Sequence, residues 1–149
     1  MTNKILLAAA VAVLMSACGG SGSAQEKGPI SEARTAAFKA MMPEYVGMGK
    51  VLNGDEAFDA EQFKKSAATF AQNARKPFEH FQNDTAGNGH ALPEIWSKPA
   101  EYQARHEKFI AAVDELNAKA QTGKMDEIKA AYGQVSASCK SCHSSFRSN

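Results

Sequence analysis

Cys139, Lys140, Ser141, Cys142 and His143 stand together near the C-terminal end of the 149-residue chain. Two thiols separated by two residues and followed at once by an imidazole form the C-x-x-C-H pattern of c-type haem attachment. Each thiol can add to a vinyl group of a porphyrin, and the adjoining imidazole can reach the iron from one side. The two-residue gap lets both sulfurs meet neighbouring edges of one ring while His143 stays under the metal. One covalent haem c is therefore expected, with His143 as the axial iron ligand. Two other readings of the paired thiols are weaker. A structural zinc site needs about two more ligands, normally a second Cys or His pair, and His80, His90 and His106 do not form one. A redox-active C-x-x-C expects a preceding strand and a βαβ context, whereas these cysteines fall late in a helical stretch.

Only six residues follow His143, so any second iron ligand must come from upstream. Met41, Met42 and Met48 are the first candidates, and His80, His90 and His106 the weaker ones. Methionines at helical spacing also serve as core filling, and the pattern leaves both roles open.

The elements that must position the motif read as helices. Between Ile30 and Asn149 four stretches carry apolar residues at helical spacing, and no strand pattern competes. The first is expected from about Ser31 to Leu52, with a kink near Met42 and Pro43, because proline removes a backbone donor and crowds the preceding turn. The second starts after Asp59, which has capping-box spacing to Gln62, places Phe63, Ala67, Phe70 and Ala74 on one stripe, and ends around Phe78 to Phe81. Residues Gln82 to Pro93 are dense in turn formers and read as a loop. The third helix starts near Ser97 and Pro99, presents Tyr102, His106, Phe109, Val113 and Leu116, and stops at Thr122-Gly123. The last runs from about Met125 to Phe146. Its apolar face includes Ile128, Tyr132, Val135 and Cys139, so the attachment motif continues the core stripe. The expected fold is all-α, an antiparallel four-helix bundle with the haem near the C-terminus.

At the other end, Lys4 and the apolar run Ile5 to Met15 read as a bacterial export signal, too short to span a bilayer. Met15, Ser16, Ala17 and Cys18 resemble a lipoprotein cleavage box, which makes residues 1–17 the signal and Cys18 a lipidated first residue. A cut after Ala24 is the other reading. Residues 18–29, rich in Gly and Ser, are expected to form a flexible linker, and residues 30–149 the domain. Both cleavage readings place the domain outside the cytoplasm, with membrane association only through the lipid. The chain has 17 basic and 16 acidic side chains, 44% hydrophobic and 22% charged residues. That composition fits a folded globular domain, and the near-cancelling charge argues against a nucleic-acid partner.

The terminal CKSCHSSFR, the opening Arg34, Thr35, Ala36, Ala37 and Phe38 of the first helix, and the loop phrase LPEIWS from Leu92 to Ser97 occur in that order. In these features the chain resembles the cytochrome c′ family, whose fold is an established example of a four-helix bundle. The resemblance spans about Arg34 to Arg147. It implies a five-coordinate iron with Phe38 as the bulky apolar residue over its open face, admitting only small uncharged ligands such as nitric oxide or carbon monoxide. It also implies that Arg34 and Thr35 approach the haem propionates, that Arg147 lies close to His143, and that His90 stands near the haem edge. By default a loop histidine such as His90 is exposed and unbound, and an arginine is a solvated surface charge. Homodimers through the first two helices are a further implication, for which Val46, Met48 and Val51 could serve either as interface or as core.

Two functions follow as expectations. The first is a periplasmic haem protein, not an enzyme, that binds and buffers nitric oxide. The second is an electron-transfer cytochrome with Met41 or Met42 as sixth ligand and a redox partner. No acid, base or arginine is predicted beside Phe38, which leaves hydrolytic or peroxidatic chemistry without support.

Overall fold

A computed structural model describes residues 24–149; the export segment and Cys18 lie outside the described residues. The long helices are α1 (Pro29–Asn53), α2 (Ala60–Asn73), α4 (Pro99–Thr122) and α5 (Met125–Phe146), with a one-turn helix α3 (Glu94–Ser97) before α4. They form an antiparallel four-helix bundle, in which α1 packs on α2, α2 on α4, and α4 on α5. Among the described residues no strand occurs, only the isolated bridges Lys27 to Asn88 and Ala91 to Arg147. No helix among them is long and apolar enough to cross a membrane.

Local chemistry accounts for most of the boundaries. Pro29 and Pro99 open α1 and α4, where a missing N–H and a fixed φ cost nothing. Asp59 caps α2 by accepting from the Gln62 N–H at 2.8 Å, as the spacing predicted. Gly54 and Gly123 close α1 and α4 with φ of 86° and 69°, in the left-handed region.

The core joins Met41, Met48 and Leu52 of α1 with Phe63 and Phe70 of α2, Phe109, Val113 and Leu116 of α4, and Ile128 and Val135 of α5. Burying each such side chain contributes about 1.5–3 kcal/mol, so these residues dominate the attraction between helices. Met48 is thus core rather than interface, Val51 is half-buried, and Val46 and Met42 are the exposed apolar residues of α1. Helix α1 continues unbroken through Pro43, which lies on its exposed side. Where α1 crosses α5, Tyr45 stacks on Tyr132 at 4.5 Å and 8°. Gly49 makes that approach possible, because a Cβ there would strike the Tyr132 hydroxyl.

Three expectations need correction. Helix α2 ends at Asn73 and not near Phe78 to Phe81; Lys76–His80 form a 3-10 turn instead. Pro77 cannot donate to the α-helical ladder, so the ladder does not carry on through it. Helix formation also begins before Ser97, in α3, and Lys98 then leaves the helical region at φ −126° because Pro99 follows it. Finally, the linker does not extend to residue 29. Gln25 N–H donates to Gly89 O at 2.9 Å, Gly28 N–H donates to Gly87 O at 2.8 Å, and Gly89 N–H donates to Glu26 O at 3.1 Å.

This clasp includes a long-range helix cap. Gly28 has no side chain to cap α1, and Asp84, buried in the 82–93 loop, accepts from the Ser31 N–H at 2.9 Å and the Ala86 N–H at 3.1 Å. The Ser31 amide is the main reason the Asp84 carboxyl sits below its usual range, against the opposing effect of burial. A carboxylate with a depressed folded-state pKa stabilises above its unfolded value and loses that effect as pH falls through the folded one. Asp84→Asn should therefore lower the melting temperature at pH 7, and thermal denaturation from pH 7 downward should show the gap from wild type closing below about pH 4.

Candidate functional site

The helical period of α5 carries its buried face from Ile128, Ala131 and Val135 through Ser138 to Phe146. Cys139 is half-buried and packs against the core, Cys142 is half-buried beside it, and both thiols are free. His143 lies at the exposed edge of the same face. Burial pushes the Cys139 thiol up to about 11, with the neighbouring Cys142 adding to the shift. Burial raises Cys142 as well, opposed by the Arg105 guanidinium. Partial burial, and then the positive charge of Arg147, hold the His143 imidazole below its usual range. A neutral imidazole keeps its lone pair for a metal, which suits the role predicted for it.

Arg105 is a site residue that the sequence reading missed. From α4 its Nη1 donates to the Ser141 carbonyl at 2.9 Å and bonds the Ser141 hydroxyl, and its Nη2 donates to Glu101 at 3.1 Å. Its guanidinium also lies 5.8 Å from the Phe146 ring centroid. Arg105 thus ties the middle of the C-x-x-C segment to the neighbouring helix. Its position one turn after Glu101 was a legible signal for an ion pair, but nothing local pointed to α5.

Facing the motif is a continuous aromatic wall. Phe38 of α1 meets Phe78 at 6.1 Å and Phe81 at 6.2 Å, both edge-on. Phe78 stacks on His106 at 3.8 Å. Phe81 lies 5.2 Å from Tyr102, and Tyr102 meets Phe146 of α5 edge-on at 5.6 Å. Two rings therefore connect Phe38 to the end of the helix that bears the motif.

Arg34 is 5% exposed and not a solvated surface charge. Its Nη1 donates to His80 O and its Nη2 to Asn88 O, both at 2.8 Å, and its guanidinium covers the Phe81 ring at 4.9 Å. Thr35 returns its hydroxyl proton to Ser31 O at 2.8 Å. His90 also departs from its exposed default: it is half-buried, with Nδ1 3.1 Å from the Ser148 hydroxyl and its carbonyl accepting from the Ser148 N–H. Arg147 is exposed, and its N–H donates to His143 O at 3.3 Å. Trp96, within the LPEIWS phrase, donates its indole N–H to Phe81 O at 2.8 Å and so fixes the wall from behind. Met41 belongs to the core at 4% exposure, and Met42 is 40% exposed.

The residues present fit a haem better than a bare metal ion. Among the described residues no three His, Cys, Asp or Glu side chains come together in a way that could hold a metal. Tyr102 Oη, in contrast, is buried without a hydrogen-bond partner. A hydroxyl left so costs about 1–3 kcal/mol, which a polar group on a bound ring would offset.

Residues 30–147 match the family model described as Cytochrome C'. The chain belongs to the cytochrome c′ family. Cytochrome c′ from Alcaligenes xylosoxydans xylosoxydans is 34% identical over 114 residues, 76% of this chain and 89% of that one. Cytochrome c′ from Rubrivivax gelatinosus is 34% identical over 125 residues, 83% of this chain and 97% of that one. Among solved structures, the nitric oxide complex of a variant cytochrome c prime from Alcaligenes xylosoxidans superposes with a TM-score of 0.76 at 31% identity, covering 80% of this chain and 94% of that one. As a cytochrome c′ the protein carries a covalent c-type haem.

Replacing Arg105 by Gln removes a charge-assisted bond to Ser141 and should cost about 1.5 kcal/mol. In the mature protein, thermal unfolding followed by circular dichroism should show a melting point lower by about 3–6 °C.

Proposed function

We propose that this cytochrome c′ binds small uncharged gases, nitric oxide and carbon monoxide, at a five-coordinate haem iron, and that it buffers nitric oxide in the periplasm. The observation that carries this reading is the setting of Phe38. Its ring is held edge-on by the rings of Phe78 and Phe81, and a phenyl group has neither a lone pair for iron nor a proton to transfer. Haem c would supply the iron to which a gas binds, and the residues of this chain would hold that group and shape access to it.

In this reading Cys139 and Cys142 hold the porphyrin as thioethers and His143 is the axial ligand. Partial burial, and then the positive charge of Arg147 in the next turn, disfavour protonation of His143. Arg34 and Thr35 serve the propionates, with Arg34 already drawn inside the fold by two backbone carbonyls. His90, pinned to Ser148, closes the haem edge. Phe38 crowds the open face, so that a ligand larger than a diatomic gas, or a charged one, is rejected by steric clash and by an apolar surround. The domain reaches the periplasm through the 1–17 signal, and Cys18 anchors it by lipid. Homodimer contacts would use the exposed Met42 and Val46 of α1.

Spectroscopy of the reduced protein tests the iron's coordination. A broad high-spin spectrum that changes on addition of nitric oxide is expected; a sharp low-spin α band unchanged by the gas would overturn the proposal. Methionine ligation has its own test. Met41 is already committed to the core and Met42 to the exposed face, so Met41→Leu and Met42→Leu should each leave both the spectrum and the reduction potential unchanged. Mass spectrometry of the mature protein reads out the haem and the acyl chains as separate additions.

A further inference from the structure

Two buried polar groups near the motif lack the partners that burial requires. One is Tyr102 Oη, the only buried side-chain nitrogen or oxygen among the described residues without a hydrogen bond. The other is the Arg34 guanidinium. Its two hydrogen bonds go to neutral carbonyls, and no carboxylate among the described residues stands within ion-pair distance of it. Asp84, the acidic group whose charge Arg34 feels, is committed to the amides of Ser31 and Ala86. A buried charge without a counter-ion and a buried hydroxyl without an acceptor are both unfavourable, and each is relieved by the same chemistry, a carboxylate.

The two groups share one ring. The Arg34 guanidinium lies 4.9 Å from the Phe81 centroid and the Tyr102 ring 5.2 Å from it. Tyr102 also packs against Phe146 of α5, three residues beyond His143. They approach from different helices, α1 and α4, and Tyr102 lies close enough to Cys142 for the thiol's charge to act on its phenol. We infer that Tyr102 is a haem-anchoring residue whose hydroxyl donates a hydrogen bond to a haem propionate that Arg34 pairs with. The inference rests on the proposed haem site and adds to it a residue that the C-x-x-C-H motif and the first-helix arginine do not indicate. Burial holds the phenol well above its usual range, so it keeps its proton and acts as a donor throughout the neutral range. Donation to a carboxylate is among the stronger hydrogen bonds and needs no change in the protonation of either partner.

Tyr102→Phe tests this with little disturbance, since the ring and its contacts with Phe81 and Phe146 stay and only the oxygen leaves. In resonance Raman spectra of the mature haem protein, the propionate bending band should shift to lower frequency, and the reduction potential should fall as a more negative carboxylate stabilises the oxidised iron. Tyr45→Phe, which removes a hydroxyl bonded to Ser136 away from this space, should move neither. An unshifted propionate band with Tyr102→Phe would overturn the inference. So would a shift confined to the C–O stretch of the carbon monoxide complex, which would place the hydroxyl at the iron's open face. Wild-type protein without covalent haem would instead defeat the proposed haem site itself, so the two failures are distinguishable.

Discussion

On α5 a single apolar face runs from Ile128 to Phe146, and the 3.6-residue period leaves the chain no freedom over where its thiols lie. Cys139 sits one turn beyond Val135 and shares the core with it. The attachment segment is therefore not a loop added to a bundle but the last two turns of the bundle's own packing surface. A porphyrin held there, as proposed, would become part of the hydrophobic interior. Everything else near it is arranged around that fact: Arg105 locks Ser141 from α4, and the loop phrase before α4 supplies Trp96 to brace the wall at Phe81.

The side facing the motif is unusual in composition more than in shape. Phe38, Phe78, Phe81, Tyr102, His106 and Phe146 come from two helices, a 3-10 turn, the residue after that turn and the end of α5. They form one chain of edge-on and stacked contacts. Such a wall offers little to a polar reactant. Its only polar elements are the buried Arg34 over Phe81, the phenol of Tyr102 and the imidazole of His106, whose protonated form burial disfavours.

The four long helices, helix ends set by glycine or proline, and the course of the core stripe were legible because each rests on local pattern. Asp59 with Gln62, Pro99, Gly123 and the α5 stripe all behave as their neighbours in sequence dictate. What could not be read were interactions between residues far apart in the chain. The cap of α1 comes from Asp84, the anchor of Ser141 from Arg105, and the burial of Arg34 from carbonyls at His80 and Asn88. A stretch rich in Gly and Ser likewise looks like free linker until its partners are known, and residues 25–28 find theirs in the distant loop at Gly87 and Gly89. The early end of α2 was the exception, since Pro77 announced it and the apolar run through Phe78 and Phe81 outweighed it in the reading.

Residues 84–92 hold both ends of the described chain. Lys27 bridges Asn88 on one side of that loop, and Ala91 bridges Arg147 on the other. The polypeptide thus enters the bundle and finishes α5 at the same pole, the one that bears the motif, while the turns at Gly54 and Gly123 mark the opposite pole. For work on surfaces this fixes a choice of handle: a cysteine or tag placed at either of those two turns would orient immobilised molecules with the end that bears the motif toward solution, whereas a handle after Arg147 would bury that end against the support.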